Sequence, residues 1–162
     1  MRTYLSIDNG VSGSICVLDD LHSIFIETPS KKEQSYTKKK QDIERIDYPV
    51  LYSFIYELKD LDLKVLIERP CVNPGRFKTT MSAMRSLEAT MIVLENLGLT
   101  CEVIDSRQWQ SVMIPNIKGS DNLKKASKEL GIELFPQHKE LITKHKDADA
   151  LLISEWARRS KL

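Results

Sequence analysis

Asp8 and Glu68 each end an apolar, strand-like run, and a third acidic stretch, Asp147-Ala148-Asp149, opens the last helical pattern of this 162-residue chain. Carboxylates are hard oxygen donors. Two or three of them gathered at element ends suit Mg²⁺, with water and phosphate completing its shell. An acid at the tip of a buried strand is costly unless it is paired or metal-bound. Asp8-Asn9-Gly10 is also a good turn sequence, in which the Asp side chain simply closes the strand. Glu68 shifts the balance, because Val65-Leu66-Ile67 is fully apolar and the next residue is again an acid. If the strands ending at Asp8 and Glu68 run side by side in parallel, their carboxylates converge on one edge of a sheet.

The third corner is His145-Lys146-Asp147-Ala148-Asp149-Ala150-Leu151-Leu152. Helical spacing puts Asp149 on the stripe of Leu152, Ile153 and Trp156, which makes it a buried acid. Asp147 contributes only if it precedes the first turn, where it equally suits a helix N-cap. His145, one turn ahead of Asp149, is the competing donor, and its plainer reading is a surface histidine. Two metal ions about 4 Å apart on shared carboxylates activate a water and stabilise a leaving oxygen in phosphoryl transfer. No Ser, Cys or His triad is legible as an alternative.

The elements that position these acids follow from periodicity. Arg2–Asp8, Ser14–Leu18 and Ser23–Glu27 read as strands of an antiparallel meander. Residues 29–45 are polar and Lys-rich and read as a mobile loop. Ile46–Leu58 has helical spacing, Leu63–Glu68 is a buried strand stopped by Pro70, and Thr79–Leu97 is a long helix closed by Gly98. Thr100–Ile104 is a further strand. Ser106 is expected to cap a short helix carrying Trp109, and Asp121 a helix through Leu130 halted by Gly131. The last helix is expected over Asp147–Arg159. This order predicts one α/β domain over residues 1–162, with a five-stranded mixed sheet flanked by helices.

A composition of 41% hydrophobic and 29% charged residues excludes a disordered chain or a coiled coil. No apolar run approaches the roughly 18 residues that span a bilayer. Arg2-Thr3-Tyr4 has no signal-peptide layout. Three cysteines, Cys16, Cys71 and Cys101, lack metal-ligand spacing and read as reduced, partly buried thiols of a cytoplasmic protein. A net charge of +1 says nothing for a nucleic-acid partner, but its distribution does. Lys31, Lys32, Lys38, Lys39 and Lys40 face the single acid Glu33, and further bases stand at Arg76, Lys78, Lys118, Lys124, Lys144 and Lys146. Any one cluster reads as a solvated face. Together they form a basic surround for an acidic centre, as expected of a protein that holds phosphates.

Ile7-Asp8-Asn9-Gly10 with Ser12-Gly13, Ile67-Glu68-Arg69-Pro70 and Ala148-Asp149-Ala150-Leu151-Leu152 resemble the three signatures of RuvC-type Holliday junction resolvases. The likeness is greatest to the phage-encoded branch, which Trp109 and Lys124-Lys125-Ala126-Ser127 also fit. It runs through nearly the whole chain in the right order. The resemblance implies an RNase H-like fold and a homodimer in a bacterial host's cytoplasm. It implies cutting of four-way and other branched DNA by paired nicks, with Mg²⁺ or Mn²⁺, two ions per site. Asp8, Glu68 and Asp149 then are metal ligands. The family's acid or His one turn before the last Asp falls here on Lys146 or His145, so the fourth ligand lies between Asp147 and His145. Lys144 and Lys146 become either contacts for the scissile phosphate or solvated surface lysines. Phe77, between Arg76 and Lys78, becomes either a wedge against unstacked bases or a core residue beside Met81 and Met84. Met81, Met84, Leu87, Met91 and Leu94 form either a two-fold interface or monomer core.

Three other readings compete. A junction-binding protein that does not cut needs no buried acids. A nuclease for RNA–DNA hybrids shares the expected fold. The start Ile7–Gly10 also resembles the first phosphate loop of actin-like kinases, which need two such domains, more than this chain can supply.

Overall fold

The computed structural model describes residues 2–36 and 38–162. β1 (Thr3–Asp8), β2 (Ser14–Leu18) and β3 (Ser23–Glu27) form the expected antiparallel meander. A second, two-stranded ribbon follows, β4 (Ser30–Gln34) with β5 (Asp42–Ile46). The chain then runs through α1 (Tyr48–Tyr56), β6 (Leu63–Glu68), α2 (Phe77–Asn96) and β7 (Cys101–Ile104). It ends in four helices, α3 (Ser106–Met113), α4 (Ser120–Leu134), α5 (Lys139–Lys144) and α6 (Asp149–Ser160). The main sheet has five strands in the order β3-β2-β1-β6-β7, with β1, β6 and β7 parallel. This is the expected mixed α/β architecture.

Both faces of the sheet are covered, which is why β1 and β2 are buried along their whole length. Leu5, Ile7, Ile15, Val17, Val65 and Ile67 point to one side and pack on Leu51 and Ile55 of α1 and Val93 and Leu94 of α2. Tyr4, Leu66 and Ile104 point to the other, against Trp109 and Met113 of α3 and Leu152, Ile153 and Trp156 of α6. Period-two alternation therefore sorts each strand between two helical layers.

Several boundaries differ from expectation, each for a local reason. The ribbon replaces the expected loop over residues 29–45, and its Ile46 belongs to β5 rather than to α1. Both of its faces are largely polar, so it lacks the apolar alternation that marks a strand. The short helix carrying Trp109 is capped by Asp105, not Ser106: the Asp105 side chain accepts from Arg107 N, and Gln108 reaches back to Asp105 N at 2.6 Å. Gly131 does not halt α4, which continues to Leu134. A Cβ at Gly131 would overlap Ala148 Cβ, so this glycine serves close packing against the segment that carries Asp147 and Asp149. The last helix opens two residues later than expected, at Asp149. Gly98 closes α2 at φ 68°, as its position suggested. The cysteines are free, with Cys71 exposed rather than partly buried. Among the described residues, no helix is long and apolar enough to cross a membrane.

Candidate metal centre

The parallel register sets Ile7 opposite Ile67, so Asp8 and Glu68 end neighbouring strands at the same edge. A one-residue slip of either strand would turn its acid to the wrong face, and the two-sided core forbids it. After Asp8 the chain turns through Gly10, at φ 142°, and comes back at Gly13, whose N–H donates to Gly10 O at 3.0 Å. A Cβ on Gly13 would overlap the Asp8 carbonyl oxygen, so the loop can lie this close only with glycine there. Asn9 Nδ2 donates to Ala83 O at 3.0 Å and ties the same loop to α2.

Because α6 starts at Asp149, Asp147 precedes the first turn, the condition under which it can join the other acids. Carboxylate oxygens of Asp8, Asp147 and Asp149 all lie within 4.8 Å of one another. Ser127 of α4 holds the helix entry: its hydroxyl donates to Asp149 Oδ1 at 2.5 Å and accepts from Ala148 N at 3.0 Å. Glu68 sits at the margin of this trio. The fully buried Trp109 donates from Nε1 to Glu68 Oε1 at 2.9 Å and keeps that oxygen occupied.

Crowding and burial work together on these groups. Burial, then the charge of Asp8, push the Glu68 carboxyl up to about 8, against the Trp109 hydrogen bond. Burial, then Asp147 and Asp8, hold Asp149 well above the usual carboxylate range. Asp8 is raised by burial although Lys146 opposes the shift. The Lys146 ammonium lies 3.0 Å from Asp8 Oδ2 and 3.5 Å from Asp147 Oδ2. Burial alone would lower its pKa, but the charges of Asp8 and Asp147 overcome this and raise it.

These residues fit a divalent cation. Three hard oxygen donors converge, and Asp8 Oδ2 is buried with no hydrogen-bond donor aligned on it, although the Lys146 ammonium is close. Lys146 supplies part of the positive charge that such a cluster demands. His145, the competing donor, is committed elsewhere: Nδ1 faces Asp147 O at 2.9 Å and Nε2 faces Gly13 O at 3.1 Å. It is buried, edge-on to Phe25, and fastens the Gly13 loop to the Asp147 segment. Of the two contenders, Asp147 is the one the geometry brings to the acids.

Among the described residues, Lys146 is the one expected base that is joined to the acids. Lys144 is exposed and lines, with Lys146, Ser12, Thr28, Ser30 and Glu44, a cavity of about 290 Å³. Lys31 is paired with Glu33 at 2.9 Å, and Lys32, Lys38, Lys39 and Lys40 are exposed on or beyond β4. Arg76, Phe77 and Lys78 are exposed where a 3-10 turn over Pro74–Arg76 enters α2, and Phe77, 69% exposed, is not a core residue. Lys118 and Lys124 are exposed before and within α4. On α2, Met81 and Met84 are exposed, and Leu87 and Met91 lean on the core. Leu94 is 1% exposed and lies inside the protein's own core, so it cannot form an interface as expected. Ser127 and Trp109 stand in the sequence only as part of a family resemblance, without a role at the acids, and nothing there marks the carbonyl partners of His145. Trp109 could have been given that role as a buried donor needing a partner.

Solved structures share this architecture, two of Thermus thermophilus RuvC among them. One is Thermus thermophilus RuvC in complex with a Holliday junction substrate, at TM-score 0.55 and 10% identity, covering 99% of this chain and 96% of that one. The chain has a RuvC-like fold. The other is a further Thermus thermophilus RuvC structure, at TM-score 0.52 and 12% identity, covering 98% and 96%. No protein-family model and no curated protein sequence matches the chain.

Two outcomes are expected. Lys146→Met removes the cation between Asp8 and Asp147 and destabilises the metal-free protein by about 1–3 kcal/mol, less than for a fully buried pair because the side chain is 36% exposed. Mg²⁺ then restores more stability than in the wild type, read as a larger thermal shift; an equal shift would show that Lys146 does not neutralise the cluster. The raised carboxyls also fix a pH dependence. Folding raises the proton affinity of Glu68, Asp149 and Asp8, so the metal-free protein loses stability as pH rises from the ordinary carboxylate range, through about 8 for Glu68. Divalent binding needs the ionised forms and strengthens over the same window. Melting curves in EDTA and in Mg²⁺ at pH 5.5 and 8 should slope in opposite directions, and parallel slopes would contradict this account.

Proposed function

We propose that the protein is a metal-dependent, structure-selective endodeoxyribonuclease that resolves four-way DNA junctions, and other branched DNA, by paired nicks. The observation that carries this reading is the cluster of Asp8, Asp147 and Asp149, with Glu68 at its margin, at one sheet edge of a RuvC-like fold. Asp8, Asp147, Asp149 and the outer oxygen of Glu68 would hold Mg²⁺ or Mn²⁺, two ions per site. When bound, such ions activate water and neutralise charge on the phosphate.

The chain's own residues do the rest. Ser127 and Trp109 hold Asp149 and Glu68 in place, so their orientation is set before substrate arrives. Lys144 and Lys146 border the cavity beside the acids and would face the scissile phosphate. Lys31, Lys32, Lys38, Lys39, Lys40, Arg76, Lys78, Lys118 and Lys124 would bind DNA through phosphates. Phe77, exposed between Arg76 and Lys78, would stack on bases at the crossover. Exposed Met81 and Met84, flanked by Leu87 and Met91, would form a two-fold interface, giving one active site for each of two strands. Membership in the phage-encoded branch rests on the sequence signatures alone. A protein that merely bound junctions would have no use for so costly a set of buried acids.

With Mg²⁺, the wild type should nick a synthetic four-way junction in preference to a flap, a linear duplex or an RNA–DNA hybrid. Asp8→Asn should lose cleavage and keep junction binding, and that binding should weaken steeply with salt. Wild-type cleavage by Asp8→Asn would remove the metal centre from the reaction. Sedimentation should find a dimer that Met84→Glu converts to a monomer; a dimer unchanged by that substitution would move the interface away from α2.

A further inference from the structure

The ribbon of β4 and β5 lies outside the five-stranded sheet, and a lone pair of strands is marginal in water. This one is braced at three levels. At its root Ile46 is buried in the core and Asp47 N donates to Pro29 O at 2.9 Å. Midway, Glu33 takes Lys31 at 2.9 Å on one side and Arg45 at 2.7 Å on the other. Near the end, Ser35 N donates to Gln41 O at 2.7 Å.

Tyr36 stands just past the last paired residues. Its hydroxyl accepts from Arg45 Nη1 at 3.0 Å and donates to Glu33 Oε2 at 3.5 Å, and the Arg45 guanidinium is 6.0 Å from the ring centroid. The ring is nevertheless 83% exposed. A large aromatic in that position buries little apolar surface, so it adds little to the fold. It is anchored by its hydroxyl, with most of the ring offered to solvent. Around it the ribbon is basic: Lys31, Lys32, Lys38, Lys39, Lys40 and Arg45 against Glu33, Asp42 and Glu44. An open aromatic ring among lysines is the combination that holds unpaired nucleotides, the ring stacking on a base and the ammonium groups tracking the backbone. The root of the ribbon, through Ser30 and Glu44, lines the same cavity as His145 and Lys146. Five-residue strands extend the tip about 15 Å beyond it.

We propose that this ribbon is a second DNA-contacting element, in which Tyr36 stacks on an unpaired base of branched DNA while the neighbouring lysines hold the flanking phosphates. The element favours branched DNA over continuous duplex, because only unpaired bases offer a free face to the ring. The proposal rests on the nuclease reading above and extends it to a site outside the acidic centre.

The test uses junctions bearing 2-aminopurine at single positions around the crossover, with binding measured in Mg²⁺ on the Asp8→Asn protein. Asp8→Asn alone should change the 2-aminopurine emission at one or a few positions. Adding Tyr36→Ala should abolish that change and weaken junction binding about tenfold, leaving linear-duplex binding unaltered. Adding Tyr36→Phe instead should keep most of both effects. Equal junction affinity and equal emission with and without Tyr36→Ala would overturn the proposal while leaving the nuclease reading intact, provided the wild type cleaves junctions. A wild type that neither binds nor cleaves junctions would overturn both.

Discussion

Negative charge confined at the edge of the β1–β6 pair is the constraint that the surrounding structure answers. Each ionised carboxylate withdrawn from water costs several kcal/mol, and here three converge with a fourth beside them. Nearby groups meet that cost in different ways. Lys146 brings opposite charge, Ser127 and Trp109 each occupy one oxygen, and burial shifts Asp8, Glu68 and Asp149 toward their neutral forms. A site balanced by protons and one lysine is prepared to exchange them for divalent cations.

Close approach is the second requirement, and glycine meets it twice. Gly13 lets the loop after β1 lie on the backbone of Asp8, and Gly131 lets α4 lie on Ala148. His145 then spans the two segments through carbonyl oxygens on each. The segments that carry Asp8, Asp147 and Asp149 are thus placed by backbone packing, while Lys146, Ser127 and Trp109 engage the carboxylates themselves. The ribbon follows opposite rules. Its strands are held by their own ladder, by ion pairs and by a single buried foot at Ile46, and most of its side chains are exposed.

The main sheet and three of the acids were legible in the sequence because burial leaves strong periodic marks. Leu5 and Ile7 alternate with Tyr4 and Ser6, and an acid at the end of such a run stands out. Asp147 could not be settled that way, since its role depends on whether α6 starts before or after it, a matter of one turn. His145 was misjudged because its partners are main-chain carbonyls, and those carry no residue signature. The ribbon was hidden for a related reason: a strand exposed on both faces has no apolar alternation to reveal it. Gly131 has two uses, ending helices and admitting neighbours, and only the proximity of Ala148 tells them apart. Leu94 shares its helix with Met81 and Met84, but it packs in the core beside Val93 while they lie exposed toward the start of the helix.

The hydrogen bond between Ser6 and Ser154 joins residues 148 positions apart, and α6 lies against β1 and β2 along that seam. The acidic centre therefore draws on both extremities of the fold. A ribosome that has made every strand of the sheet has still not made Asp147 or Asp149. The nascent chain carries Asp8 and Glu68 apart from their partners until α6 is synthesised and docks. The centre is thus withheld until α6 has docked on the sheet.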